Sequence, residues 1–130
     1  MRAVRSTTAG GPFLQAITVG PHALAGDEKP EKGGEDRGPE PHEFLLAALA
    51  SCTSMTIRAY ARHKQLPLRS VDVRVRGRHD ESGFVIEKDV RLDGDLDDAQ
   101  RARVLEIGGR CPVARTLSAT IRIEAATLPD

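Results

Sequence analysis

The sequence predicts an α+β fold, and three observations carry the prediction. Residues 2–25 read as short extended segments punctuated by glycine. Residues 71–92 alternate apolar and polar side chains with a period of two. Two further stretches, from about Pro41 to Gln65 and from Asp95 to Gly108, hold helix formers without that alternation. At 130 residues the chain has the size of one ordinary domain, so 1–130 is read as a single unit with one long internal loop.

Composition narrows the class. Nineteen Lys and Arg balance nineteen Asp and Glu, and no block of five like charges occurs, which argues against a nucleic-acid partner. Only Phe13, Phe44, Tyr60 and Phe84 are aromatic, so the core is expected to be aliphatic. No apolar run reaches 18 residues and the N-terminus lacks the apolar segment of a secretory signal, so the expectation is a cytoplasmic protein with no membrane partner.

The elements follow in order. Segments 2–7, 12–19 and 22–25, broken at Gly10, Gly11, Gly20 and Pro21, predict a meander of two or three strands. Residues 26–41 are only glycine, proline and charged residues, a composition that buries no apolar surface, and are read as a functional or mobile loop. From Phe44 through Ile57 no charge occurs, and these fourteen residues, too few to span a bilayer, are apolar nearly all round. A helix of that kind should be covered on several sides. Val71, Val73 and Val75 alternate with Asp72, Arg74 and Arg76; Phe84, Ile86, Val90 and Leu92 continue the period beyond a turn at Glu81-Ser82-Gly83, with Lys88 as the misfit. Asp95 or Asp97 caps a helix that stops at Gly108-Gly109. Pro112 suits a first helical position, which puts Cys111 at the N-cap of a last helix, and Ile121 and Ile123 mark a final short strand.

Chemistry centres on Cys52 and Cys111, too few for a disulfide scaffold and suited to free or redox-active thiols. At a helix N-terminus, with Arg110 and Arg115 nearby, Cys111 is read either as a thiol favoured in its ionised form or as a small capping residue without chemistry. Cys52 shares an angular face with Leu45, Ala48, Leu49, Thr56 and Ala59. It is either an inert core residue or a reactive one served by a cation or strong donor from elsewhere. His22, His42, His63 and His79 show no metal-ligand spacing with the cysteines, so no metal and no cofactor are expected.

The stretch GPEPHEFLLAALASCTSMTIRAYARHK, followed 59 positions after its cysteine by RCPVARTLS, resembles the OsmC/Ohr family of peroxide-reducing proteins over nearly the whole chain. The resemblance implies an intertwined homodimer with antiparallel sheets wrapped around two central helices. It implies that Cys52 attacks an organic hydroperoxide and becomes a sulfenic acid, that Cys111 condenses with it to a disulfide, and that a dithiol or small-thiol reductant restores both. In the hydroperoxide-resistance branch an upstream Arg and a Glu ten residues before the cysteine support the thiolate. Here His42 stands ten before and Glu43 nine before, which on a straight helix is the opposite side, so Glu43 joins the site only if the helix starts late or bends. Glu43 is otherwise a first-turn carboxylate. Phe13 to Ala25 holds no Arg, which leaves loop residue Arg37 as first choice. His42, Leu49 and Met55 are the expected substrate contacts. The alternative function is a catalytically weak homodimer of the same family that binds small apolar or thiol-containing molecules.

Overall fold

The computed structural model describes residues 1–126 and divides into two compact units, residues 1–47 and residues 48 onward. The expected meander forms the first unit. Strands β1 (Val4–Gly10), β2 (Leu14–Val19) and β3 (His22–Gly26) pair antiparallel in chain order, with Ser6 opposite Ile17 and Ile17 opposite Leu24. The β2–β3 turn needs a residue at positive φ, and Gly20 supplies it at 58°.

The charged loop that follows holds no strand, as its composition predicts, but it is pinned. Asp27 is 3% exposed, and its carboxylate accepts the backbone N–H groups of Glu28 (2.8 Å) and Arg37 (3.1 Å). Backbone bonds from Asp27 to Pro39 and from Asp36 to Glu28 close the segment on itself around a short 3₁₀ turn at Pro30–Lys32. Glycine and charge thus build an ordered loop through main-chain bonds rather than apolar burial.

Helix α1 (Pro41–His63) carries the chain into the second unit. Its 23 residues are long and apolar enough to cross a membrane by length and composition alone, more than the fourteen uncharged residues suggested. Leu49, Thr53, Ile57 and Ala61 are its buried positions, a single stripe at spacing four. Coverage within this chain is narrower than the all-round apolar character predicts, and Leu45 (42%) and Met55 (69%) stay exposed.

Strands β4 (Leu68–Asp80) and β5 (Gly83–Gly94) form the predicted hairpin, longer at both ends. The turn is held by Asp80, whose carboxylate accepts both the Ser82 N–H and hydroxyl. On one face, Arg76 pairs with Asp89 and Arg78 with Glu87; the other sets Val73 opposite Val90 and Val71 opposite Leu92. Lys88 lies on that apolar face, opposite Val75.

Helix α2 (Asp98–Gly108) starts with a reciprocal cap. Asp97 accepts the Gln100 N–H, and the Gln100 side chain accepts the Asp97 N–H, which selects Asp97 over Asp95 as cap. At its far end Gly108 meets α1 so closely that a Cβ there would lie 2.7 Å from the Ile57 methyl. Helix α3 (Pro112–Ser118) follows after Cys111 as predicted. The final strand does not form. Residues 121–126 hold no regular structure, and Ile123 is 92% exposed. Alternation supplies the pattern of a strand but not the neighbouring edge that makes one.

Candidate active site

Three elements of the second unit converge on the cysteines. Cys111 sits at the N-cap of α3 in extended conformation, and its sulfur accepts the Ala114 N–H at 3.4 Å. The preceding amide, Val113 N–H, points to the Cys52 sulfur at 3.5 Å. Consecutive N–H groups of one helical turn thus engage the two sulfurs, which join positions 59 apart in the chain. Both thiols are free; Cys111 is fully buried and Cys52 half-buried, so within the pair Cys52 is the sulfur open to an incoming molecule.

The third element is β5. Lys88 reaches inward from the apolar face of the hairpin, and its ammonium donates to the Thr53 hydroxyl oxygen and to the Gly108 carbonyl, each at 3.1 Å. Thr53, fully buried and next to Cys52 on α1, lies 3.6 Å from the Cys111 sulfur. Burial pushes the Cys111 thiol up, but the Thr53 hydroxyl, the Ala114 N–H, the Cys52 thiol and the Lys88 ammonium together outweigh it, and the net displacement is downward. Neither Arg110 nor Arg115, the cations near it in sequence, is among the groups responsible; Arg110 pairs with Glu106 instead.

A cavity of about 300 Å³ opens beside Lys88, lined by Leu49, Phe84, Ile86, Ala114, Leu117 and Ser118. Five of its seven lining residues are apolar, and Lys88 is the one cation. Neither cysteine lines this cavity, nor does either line a larger cavity of about 600 Å³ near Arg58, His63 and Leu68.

The other expected site residues divide between the units. Leu49 lines the Lys88 cavity, and Met55 lies three residues beyond Cys52 with its side chain exposed. Arg37, His42 and Glu43 belong to the first unit. The Arg37 backbone anchors the loop on Asp27, and Arg37 also contributes to holding the Asp27 carboxyl below its usual range. Because α1 already begins at Pro41, Glu43 lies in its first turn, where its carboxylate accepts the Glu40 N–H at 2.9 Å. The helix does not start late. Among the described residues no group of three or more His, Cys, Asp and Glu side chains is placed to hold a metal ion.

Residues 33–126 match the family model described as OsmC-like protein. The chain belongs to the OsmC/Ohr family. This OsmC-like chain has the α+β fold of that family, with antiparallel sheets and helices. It is similar to an OsmC-like protein from Mycoplasma pneumoniae, at 17% identity and a TM-score of 0.77 over 91% of this chain and 87% of that one. It is also similar to an organic hydroperoxide resistance protein OsmC from Legionella pneumophila, at 18% identity and a TM-score of 0.66 over 90% and 88%. The organic hydroperoxide resistance protein OhrB of Bacillus subtilis matches at 18% identity and a TM-score of 0.62 over 89% of each chain. At these identities the likenesses establish the fold. No curated protein matches the chain.

Two members of the site escaped the sequence reading. Lys88 was visible only as the residue that breaks the alternation of β5, a signal that it faces the apolar side but not of what it meets there. Thr53 gave none, since a threonine among small helical residues is unremarkable until the fold sets it against a sulfur.

Proposed function

We propose that this OsmC-like protein is a cytoplasmic thiol-dependent peroxidase that reduces organic hydroperoxides through a Cys52–Cys111 disulfide, working as an intertwined homodimer. The observation that carries the reading is the pairing of a half-buried and a fully buried sulfur on consecutive N–H groups of α3. An external peroxide meets Cys52 first, because Cys111 offers it no surface.

The cycle then balances as follows. The Cys52 sulfur attacks the near peroxide oxygen, the O–O bond breaks, and the alcohol leaves with the proton released by Cys52. Cys111 attacks the resulting sulfenic acid; a disulfide forms and water leaves. A dithiol returns two electrons by exchange and restores both thiols. Leu49, Phe84 and Ile86, in the cavity beside Lys88, offer apolar contact for the organic part of an alkyl or aryl hydroperoxide. Arg37 is the candidate helper of Cys52, with His42 and Met55 as candidate substrate contacts. Exposed Leu45, Met55, Ile121 and Ile123 support a second copy as the cover of these apolar positions.

The test is steady-state turnover of cumene hydroperoxide with a dithiol reductant. Wild type is expected to turn over, and Cys52→Ser to lose activity by at least two orders of magnitude, to the uncatalysed rate. Full activity in Cys52→Ser overturns the assignment of the nucleophile. Absent turnover in wild type overturns the function.

A further inference from the structure

The cation that serves the cysteine pair comes from the hairpin. We propose that Lys88 and Thr53 form a positioning relay that stabilises the negative charge developing on the Cys111 sulfur when the disulfide is cut, so that thiol reductants attack Cys52 and Cys111 is the leaving group. The inference rests on the disulfide cycle proposed above and concerns which of its sulfurs carries the departing electron pair.

Donor and acceptor inventory allows the polarity such a relay needs. An ammonium has only protons to give, so the Lys88 contact occupies a lone pair of the Thr53 oxygen. The single proton of that hydroxyl is then free to point at the Cys111 sulfur, 3.6 Å away. An ionised sulfur accepts it, together with the Ala114 N–H. Among the described residues no carboxylate forms an ion pair with Lys88; its second partner is the neutral Gly108 carbonyl. Its charge is therefore directed to the sulfur pair rather than cancelled by an acid. The titratable groups facing Cys111 are Cys52 from α1 and Lys88 from β5, and the ammonium favours the anion.

Exposure fixes the direction of exchange. Cys111 is fully buried, so a reductant thiolate reaches only Cys52. It forms a bond to the Cys52 sulfur, the Cys52–Cys111 bond breaks, and the electron pair leaves on Cys111. The second thiol of the reductant then displaces Cys52 from the mixed disulfide, closing the reductant's own disulfide, and Cys52 takes up a proton. A leaving thiol departs faster the more its anion is stabilised, which is the service the relay provides.

Two measurements test this without any peroxide. In a Cys52→Ser background, thiolate absorbance at 240 nm reports Cys111 alone. Its midpoint is expected to rise in Lys88→Met and in Thr53→Val, to return in Lys88→Arg, and to rise no further in the double variant than in the more affected single one. With both cysteines present, the pair is closed with diamide and then reduced by dithiothreitol. Loss of one charge-assisted hydrogen bond predicts reduction slowed on the order of tenfold in Lys88→Met, with recovery in Lys88→Arg. An unchanged midpoint in a Thr53→Val variant whose circular dichroism matches wild type overturns the proposal, as does simple additivity of the two shifts. If the midpoints move as stated but hydroperoxide never oxidises the pair, the relay stands and the peroxidase reading falls.

Discussion

Each unit of this OsmC-like protein holds one buried acidic group against the pull of desolvation, and the two differ in what holds it. For Asp27, burial acts to raise the carboxyl, but the N–H groups of Glu28, Arg37 and Glu35 and the Arg37 charge bring it below the usual carboxylate range. For Cys111, burial also acts upward, and a hydroxyl, one N–H, a second thiol and an ammonium bring it down. Main-chain donors dominate around Asp27 and organise a loop. Side-chain donors dominate around Cys111, where the thiol also has a second sulfur beside it. A buried anion becomes chemistry when a reactive partner is within reach, and architecture when only the backbone is.

The strongest way to break the comparison is to remove the partner sulfur. Cys111→Ser is expected to abolish the intramolecular disulfide and to drive Cys52 past sulfenic to sulfinic acid under excess cumene hydroperoxide, read as a mass gain of two oxygens on the Cys52 peptide. Next in size is a steric change behind the site. In Gly108→Val the new side chain collides with fully buried Ile57 beside the Lys88 anchor, and a loss of about 1–3 kcal/mol in urea unfolding is expected. A melt matching wild type would mean that α1 and α2 approach less closely than the structure requires.

At Asp27 the effect is confined to the loop. Asp27→Asn keeps the shape but removes the charge that faces the N–H groups of Glu28, Glu35 and Arg37 and the Arg37 charge, so limited proteolysis within residues 28–40 should speed up several-fold while disulfide closure is unchanged. Slower closure would make the loop anchor part of the redox site.

The smallest effects are expected in pH dependence, at opposite ends of the scale. A depressed carboxyl stabilises the fold fully above its unfolded value of about 3.9 and loses that contribution as pH falls through the folded value, so wild type and Asp27→Asn should converge in melting temperature in acid. A depressed thiol behaves alike around an unfolded value of about 8.5: the stabilisation of reduced protein by Cys111 is complete above that pH and fades as pH falls through its folded value. Reduced wild type should therefore gain on Cys111→Ser between neutral pH and pH 9. A constant difference over that range would contradict the account.

What was legible in the sequence is what local rules write. The N-cap of α3 follows from Pro112, that of α2 is narrowed to Asp95 or Asp97, and the hairpin follows from alternation with a break at Glu81-Ser82-Gly83. What was not legible depends on neighbours distant in the chain. Ile121 and Ile123 alternate as a strand does but have no edge to pair with in the described residues. The loop from 26 to 41 lacks apolar residues yet is ordered, because one carboxylate gathers its N–H groups. Lys88 broke a pattern without revealing its target, whereas the arginines sought near Cys111 in sequence point elsewhere.

The central claim is that the two sulfurs act together on a peroxide. Reduced wild type treated with half an equivalent of cumene hydroperoxide per protomer, quenched with alkylating agent and digested, tests it most directly. The account predicts that Cys52 and Cys111 lose free thiol in equal amounts and appear in one disulfide-linked peptide pair within a single chain. Both thiols intact, or Cys52 alone oxidised with Cys111 still alkylated after denaturation, would contradict it.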